Sequence, residues 1–247
     1  MNTDINKLVN RSGKPLEYKV EDIFKEEGWS VQPGVIYQDP VENKSREIDF
    51  IVEKEFSVNN PHKHSKVKFR LFVEVKYISS PVVFRFDSPT EELKKLRDKN
   101  CGASPARYEN ELQKELTLYQ SNVVRDITRE DKLVYNAYKQ AMHAFISESS
   151  ANDEIVFEFP VVVCNNFDQF SKYTENGVKP LAEKINNNGF FIMETKYKSK
   201  NIKKDVFIYF VNKNDLTNFL SASSSSLFRD AQIYAYLNAK IPYINPF

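Results

Sequence analysis

The stretch "RLFVEVKYI", residues 70–78, constrains the fold more than any other part of the chain. Its Leu71-Phe72-Val73 run, followed by Val75, is apolar at consecutive positions, as in a strand covered on both faces. Such a strand belongs in the middle of a mixed sheet. Alternation then puts Glu74 and Lys76 on one face and Val73 and Val75 on the other. Charge at the end of an apolar strand is expensive to desolvate unless it is paired or bound to a metal, so Glu74 and Lys76 are candidate site residues.

A second stretch, "FIMETKYKS" at 191–199, repeats the Glu-x-Lys-Tyr spacing with Glu194 and Lys196. Spacing alone decides nothing: with 34 acidic and 35 basic residues in 247, chance supplies roughly five acid-x-base patterns. Context separates the two copies. The first follows the strand-like "SREIDFIVEKEF" (45–56), where Ile48, Phe50 and Val52 are expected on one face and Glu47, Asp49 and Ile51 on the other. If these strands pair, Asp49 and Glu74 converge, and two carboxylates with a backbone carbonyl and waters suit the hard, octahedral Mg²⁺. Lys76 beside them can steady a metal-bound hydroxide or the charge on a phosphate under attack. The second copy runs into the polar "SKNIKKD", so Glu194 and Lys196 read as exposed strand-end charges.

The remaining chain reads as alternating elements. Residues 15–27 form a helix, with Pro15 in its opening turn, Leu16, Val20, Ile23 and Phe24 on one stripe, and Gly28 ending it. "WSVQPGVIYQD" reads as a short strand broken by a Pro-Gly turn, and "VNNPHKHSK" as a turn cluster. Helical patterns fill 90–146, and "SESSANDE" links them to a buried strand, "IVFEFPVVVCNN", in which Pro160 starts the second half or marks an edge. A helix near 179–187, a strand at 189–198, a turn, a strand at 206–212, a helix from 213, a flexible or capping Ser run and a last helix at 228–240 complete the order. This is α/β, one domain over 1–247, with core motifs in 13–86, a helical segment in 90–150 and added strands and helices in 155–247.

Composition narrows the function classes. No apolar run approaches a membrane span, and the opening "MNTDINKLVNRSGK" lacks the apolar core of a signal peptide, so a cytoplasmic protein with no membrane partner is expected. Cys101 and Cys164, without CxxC, suggest neither disulfides nor structural zinc. Six Gly and no phosphate loop argue against an ATP-driven activity. Net charge is +1; Lys63, Lys66, Lys68 and Arg70, like the Lys residues at 196–204, read first as solvated charge. His143, beside Ala141 and Ala144, reads as a packing residue.

Gly13-x3-Glu17-x2-Val20, "EEGW" at 26–29, "REIDFIV" and "LFVEVKY" together resemble the PD-(D/E)XK nuclease superfamily, most closely its Mrr-type and Holliday-junction-resolvase-like branch. The match covers residues 13 to about 86. Ile48 replaces the signature Pro, as is common in that branch. The resemblance implies a restriction-endonuclease-like mixed sheet flanked by helices and a Mg²⁺-dependent endonuclease acting on DNA, with Mn²⁺ able to substitute. It assigns Asp49, Glu74 and the Val75 carbonyl as metal ligands, Lys76 as the catalytic lysine and Glu17 as the helix carboxylate. Glu21, one turn on, rivals Glu17. Many members pair two copies to cut both strands, so a homodimer is the implied oligomer. Gln140 is the candidate for a polar residue reaching the site from a later helix, and His62 and His64 read as loop residues. The alternative function is a nuclease-fold nucleic-acid-binding or scaffold protein without turnover, and residues 155–247 are alternatively a separate recognition module.

Overall fold

Pro in the first turn and an apolar stripe ending on Phe24 produce α1 (Lys14–Glu26), which buries Val20 and Phe24. Gly28, at φ 76°, turns the chain out of the helix, and the Trp29 amide closes on the Phe24 carbonyl at 2.9 Å. The structure is a computed structural model describing residues 13–60, 63–86, 124–126, 132–149, 156–174, 177–180, 189–198 and 203–225. After α1 come β1 (Ser30–Gln38), β2 (Ser45–Asn60), β3 (Lys63–Lys76), β4 (Val82–Phe86), β5 (Val124–Asp126) and α2 (Lys132–Glu148). Then follow β6 (Val156–Cys164), β7 (Phe170–Thr174), β8 (Gly177–Pro180), β9 (Phe190–Lys198), β10 (Lys203–Asn212), a 3₁₀ turn (Lys213–Asp215) and α3 (Leu216–Ser225).

Six strands form a mixed sheet in the order β1-β2-β3-β6-β10-β9. β1, β2 and β3 are antiparallel neighbours, β3, β6 and β10 are parallel, and β9 returns antiparallel to β10. The "RLFVEVK" strand therefore lies inside the sheet, as its apolar run requires. One face packs Val73, Val75 and Val161 against α1 and α3 through Val20, Phe24 and Leu216. The other packs Phe72 and Val162 against α2 through Ala137, Ala141 and Phe145. A second sheet, β5-β4-β7-β8, joins this latter core through Val82, Phe84 and Phe170.

Several expectations change. The Pro33-Gly34 pair does not break the strand; β1 runs through it, with Gly34 at φ 61°. Pro33 pairs with Phe50 and Val35 with Ile48, and the Gly34–Asp49 step drops out of the ladder. β1 turns over at this step, with Val31 packed on the α1-side core and Val35 on the α2-side core, and Ile48, paired with Val35, goes with it. Ile48 accordingly joins Ile51 in the α2-side core while Phe50 and Val52 face α1. The expected grouping of Ile48 with Phe50 and Val52 is wrong for that reason.

The turn cluster also contracts, because β2 and β3 continue as a hairpin to Asn60 opposite Lys63. Pro160 lies inside the sheet, not at its edge: pairing with β10 begins only at Val161, so the missing N–H is not required there. Residues 124–126 are strand where helix was expected, 177–180 are strand at the start of the expected 179–187 helix, and the Ser run is helical as far as Ser225. The expected helices at 90–99, 107–120 and 228–240 lie outside the described residues.

Phe72 is fully buried and meets Phe145 edge-on at 5.8 Å, coupling β3 to α2. Phe72→Ala is expected to lower unfolding free energy by about 3–5 kcal/mol in urea titration. A loss under about 1 kcal/mol would mean that this contact does not anchor the sheet.

Candidate active site

β2 and β3 pair only as far as Phe50 opposite Val73. Beyond that point a side chain replaces the backbone: Asp49 Oδ2 accepts the Val75 amide at 2.7 Å. An unpaired buried N–H costs about 1–3 kcal/mol, so this bond holds Asp49 against β3. Burial raises Asp49, and Glu17 adds to the rise; the Val75 amide, Lys76 and Lys14 pull the other way without cancelling it.

Glu74 is 1% exposed. Its Oε1 lies 2.5 Å from Lys76 Nζ, while Oε2 is buried with no hydrogen-bond partner among the described residues. Burial, reinforced by the Asp49 charge, pushes Glu74 up to about 8 despite the opposing pull of Lys76 and of the Asp49 backbone amide. For Lys76 burial works downward, but the charges of Glu74, Asp49 and Glu17 outweigh it and leave the ammonium raised.

Glu17 comes from α1, where Lys14 Nζ meets its Oε2 at 2.5 Å one turn away. Glu17 is among the strongest charges acting on Asp49 and on Lys76. Glu21 is not, and pairs with Lys25 at 2.6 Å instead, so of the two rivals Glu17 is the one the fold brings in. Glu17, Asp49, Glu74 and Lys76 therefore share one electrostatic cluster, with Val75 bonded into it through its amide.

Other sequence candidates fall elsewhere. Gln140 Nε2 donates to the Glu47 carbonyl at 3.5 Å, beside the Asp49 strand but on none of the cluster side chains. His64 pairs with Asn59 at the far end of the hairpin, roughly 40 Å along β3 from Lys76, and His62 lies outside the described residues. Glu194 and Lys196 sit on the edge strand β9, three strands and roughly 14 Å from β3; their side chains lie outside the described residues. Arg70 and Lys68 are not a free basic patch. Arg70 meets Glu53 at 2.5 Å and Glu158 at 3.0 Å, and Lys68 lies 3.8 Å from Glu53.

Two features escaped sequence reasoning. Lys14 was legible in principle, since i,i+3 spacing on a helix places it beside Glu17. The second feature is a buried network on the α2 side. Asp39 Oδ1 accepts the Val41 and Glu42 amides at 2.8 and 2.9 Å, and its Oδ2 meets Arg46 Nε at 2.7 Å and His143 Nδ1 at 3.1 Å. Burial works to raise Asp39, but the two amides and His143 overcome it and hold it at about 2. His143 is packed as expected, and it also ties the β1–β2 turn to α2. Tyr37, buried between this network and the site, has its phenol raised by burial and by the charges of Asp39 and Glu74. No local pattern joins residues 39 and 143.

Comparison with protein-family models, with curated proteins and with solved structures returned no match. Among the described residues, no group of three or more His, Cys, Asp or Glu side chains is arranged to hold a metal ion, and no helix is long and apolar enough to cross a membrane. Any metal centre here would rest on two carboxylates and backbone oxygen.

Glu74 stands near 8 in the fold and at 4.5 as an ordinary carboxyl, so its stabilising contribution is complete below pH 4.5 and is lost as pH rises through 8. In chelator, Tm is expected to fall across that window. Glu74→Gln, which has no proton to lose, is expected to fall less steeply. Equal slopes for variant and parent would refute the assignment of this titration to Glu74.

Proposed function

We propose that the chain is a metal-dependent nuclease that hydrolyses DNA phosphodiester bonds at the Glu17, Asp49, Glu74 and Lys76 cluster, on a restriction-endonuclease-like core. The observation that carries this reading is Glu74 Oε2, a buried carboxylate oxygen with no hydrogen-bond partner among the described residues, set beside Lys76 and within the field of Asp49. Proteins rarely strand such a group, because desolvation without compensation is costly. A hard divalent cation would compensate it. With Asp49 and the Val75 carbonyl the donor set is all oxygen, which fits Mg²⁺ and accepts Mn²⁺. Bound there, the metal would supply Lewis acidity and a water of lowered pKa.

The chain's own residues have separable roles. Asp49 keeps one oxygen on the Val75 amide, which fixes the direction of the other. Glu74 holds the Lys76 ammonium through Oε1, so a positive charge waits where negative charge grows on the phosphate as water attacks in line and the P–O bond to the leaving oxygen breaks. Glu17, steadied by Lys14, adds a carboxylate from the helix side. Host defence or DNA processing is the role such chemistry would serve.

Plasmid, single-stranded DNA and RNA incubated with Mg²⁺, Mn²⁺ or EDTA test the reading. Cutting of DNA is expected with either metal and not with EDTA, and Asp49→Ala and Lys76→Ala are each expected to slow it by on the order of 10²–10³-fold. Glu194→Ala should match the parent. Mg²⁺ should also raise the Tm of the parent and not that of Asp49→Ala. Metal-dependent cutting that survives both substitutions would overturn the site assignment. Binding without cutting on every substrate would instead favour the scaffold reading.

A further inference from the structure

We propose that Tyr18 and Tyr77 are stacking platforms for unpaired DNA bases, so that the substrate class is single-stranded DNA or DNA with an unpaired stretch. The inference rests on the nuclease reading and adds the form of DNA it acts on. Most described aromatic side chains are buried, as core packing predicts, and three Tyr rings are well exposed: Tyr18 at 61%, Tyr77 at 57% and Tyr135 at 39%. Tyr135 is already engaged, edge-on to Tyr138 at 5.2 Å and under Lys139 Nζ at 4.2 Å. Tyr18 and Tyr77 have no ring or charge contact among the described residues.

Their positions distinguish these two from scattered surface rings. Tyr18 directly follows Glu17 on α1 and lies one turn from Lys14. Tyr77 directly follows Lys76 at the end of β3, and alternation turns it to the face of Val73 and Val75, on which α1 packs. α1 packs on β3, with Val20 and Phe24 in one core with Val73 and Val75, so the helix and the strand that carry the two rings adjoin. A phosphodiester reacting at the cluster has a nucleoside on each side, and the rings offer π-faces from two different elements. Exposed Lys19, beside Tyr18, adds a cation for a flanking phosphate.

A ring beside the backbone can stack only on a base that has left the helical stack. In a duplex each base face is occupied by its neighbour, and extrusion costs a few kcal/mol. A single strand, a flap or a frayed end presents its bases without that cost. Stacking tolerates every base, so this device selects strand state and not sequence.

Fluorescence anisotropy with labelled single-stranded and duplex DNA, with Ca²⁺ in place of Mg²⁺ to block turnover, tests the proposal. Tyr18→Ala and Tyr77→Ala are each expected to weaken single-strand binding by roughly 5- to 100-fold and to leave duplex binding unchanged. Tyr18→Phe and Tyr77→Phe, which keep the ring, should bind as the parent does, which separates lost stacking from lost folding. An abasic strand should reduce the parent to the affinity of the Ala variants. If the parent binds and cuts DNA while the Ala variants keep its single-strand affinity, or lose single-strand and duplex binding equally, the stacking role is overturned and the nuclease reading stands. If the parent neither binds nor cuts any DNA, the nuclease reading falls and takes this inference with it.

Discussion

The site depends on one hydrogen bond, from the Val75 amide to Asp49 Oδ2. It forms where the β2–β3 ladder ends and where β1, with Gly34 in the left-handed region, has just shifted its register of faces. A strand pair that stayed regular here would satisfy Val75 from the backbone and leave Asp49 free to turn to solvent. Because the ladder stops, the carboxylate must serve as the acceptor. It is thereby fixed within the field of Glu74, Lys76 and Glu17.

The charges that gather there balance in an informative way. Three carboxylates, Glu17, Asp49 and Glu74, face two ammonium groups, Lys14 and Lys76, so full ionisation leaves one negative charge in excess. A buried cluster cannot carry that excess cheaply. With Glu74 held near pH 8, a proton on the carboxyl removes the excess at neutral pH. A cation would remove it equally well. Under the proposed function, proton and metal would compete for one position, at the Oε2 that has no hydrogen-bond partner among the described residues.

The Asp39 network has a different character. Every Asp39 oxygen is satisfied, the carboxyl stays ionised to about pH 2, and its partners come from the β1–β2 turn and from α2. It clamps the sheet margin behind Tyr37 and leaves no oxygen for a ligand. Two buried carboxylates thus reach opposite states: Asp39 is saturated by donors, whereas Glu74 is under-supplied. That contrast separates a structural anchor from a candidate reaction centre.

Much of this was written in local pattern. The run Leu71-Phe72-Val73 demanded an interior strand, the stripe through Val20 and Phe24 demanded a helix, and Glu74, Lys76 and the Asp49 strand were legible because charge amid apolar residues is costly wherever the chain folds. Local pattern did not reveal the face switch at Ile48, the interior position of Pro160 or the second sheet, since each depends on which strand lies alongside. Spacing could not choose between Glu17 and Glu21 either, both of which project from neighbouring turns of one helix; in the fold Glu21 pairs with Lys25 while Glu17 acts on Asp49 and Lys76. The sequence by itself determined which residues must be buried and which charges would then need partners. Only the tertiary structure decided which partners they met, because pairing across 26 residues, as for Asp49 and Val75, or across 104, as for Asp39 and His143, is set by the closure of the sheet and not by anything within one element.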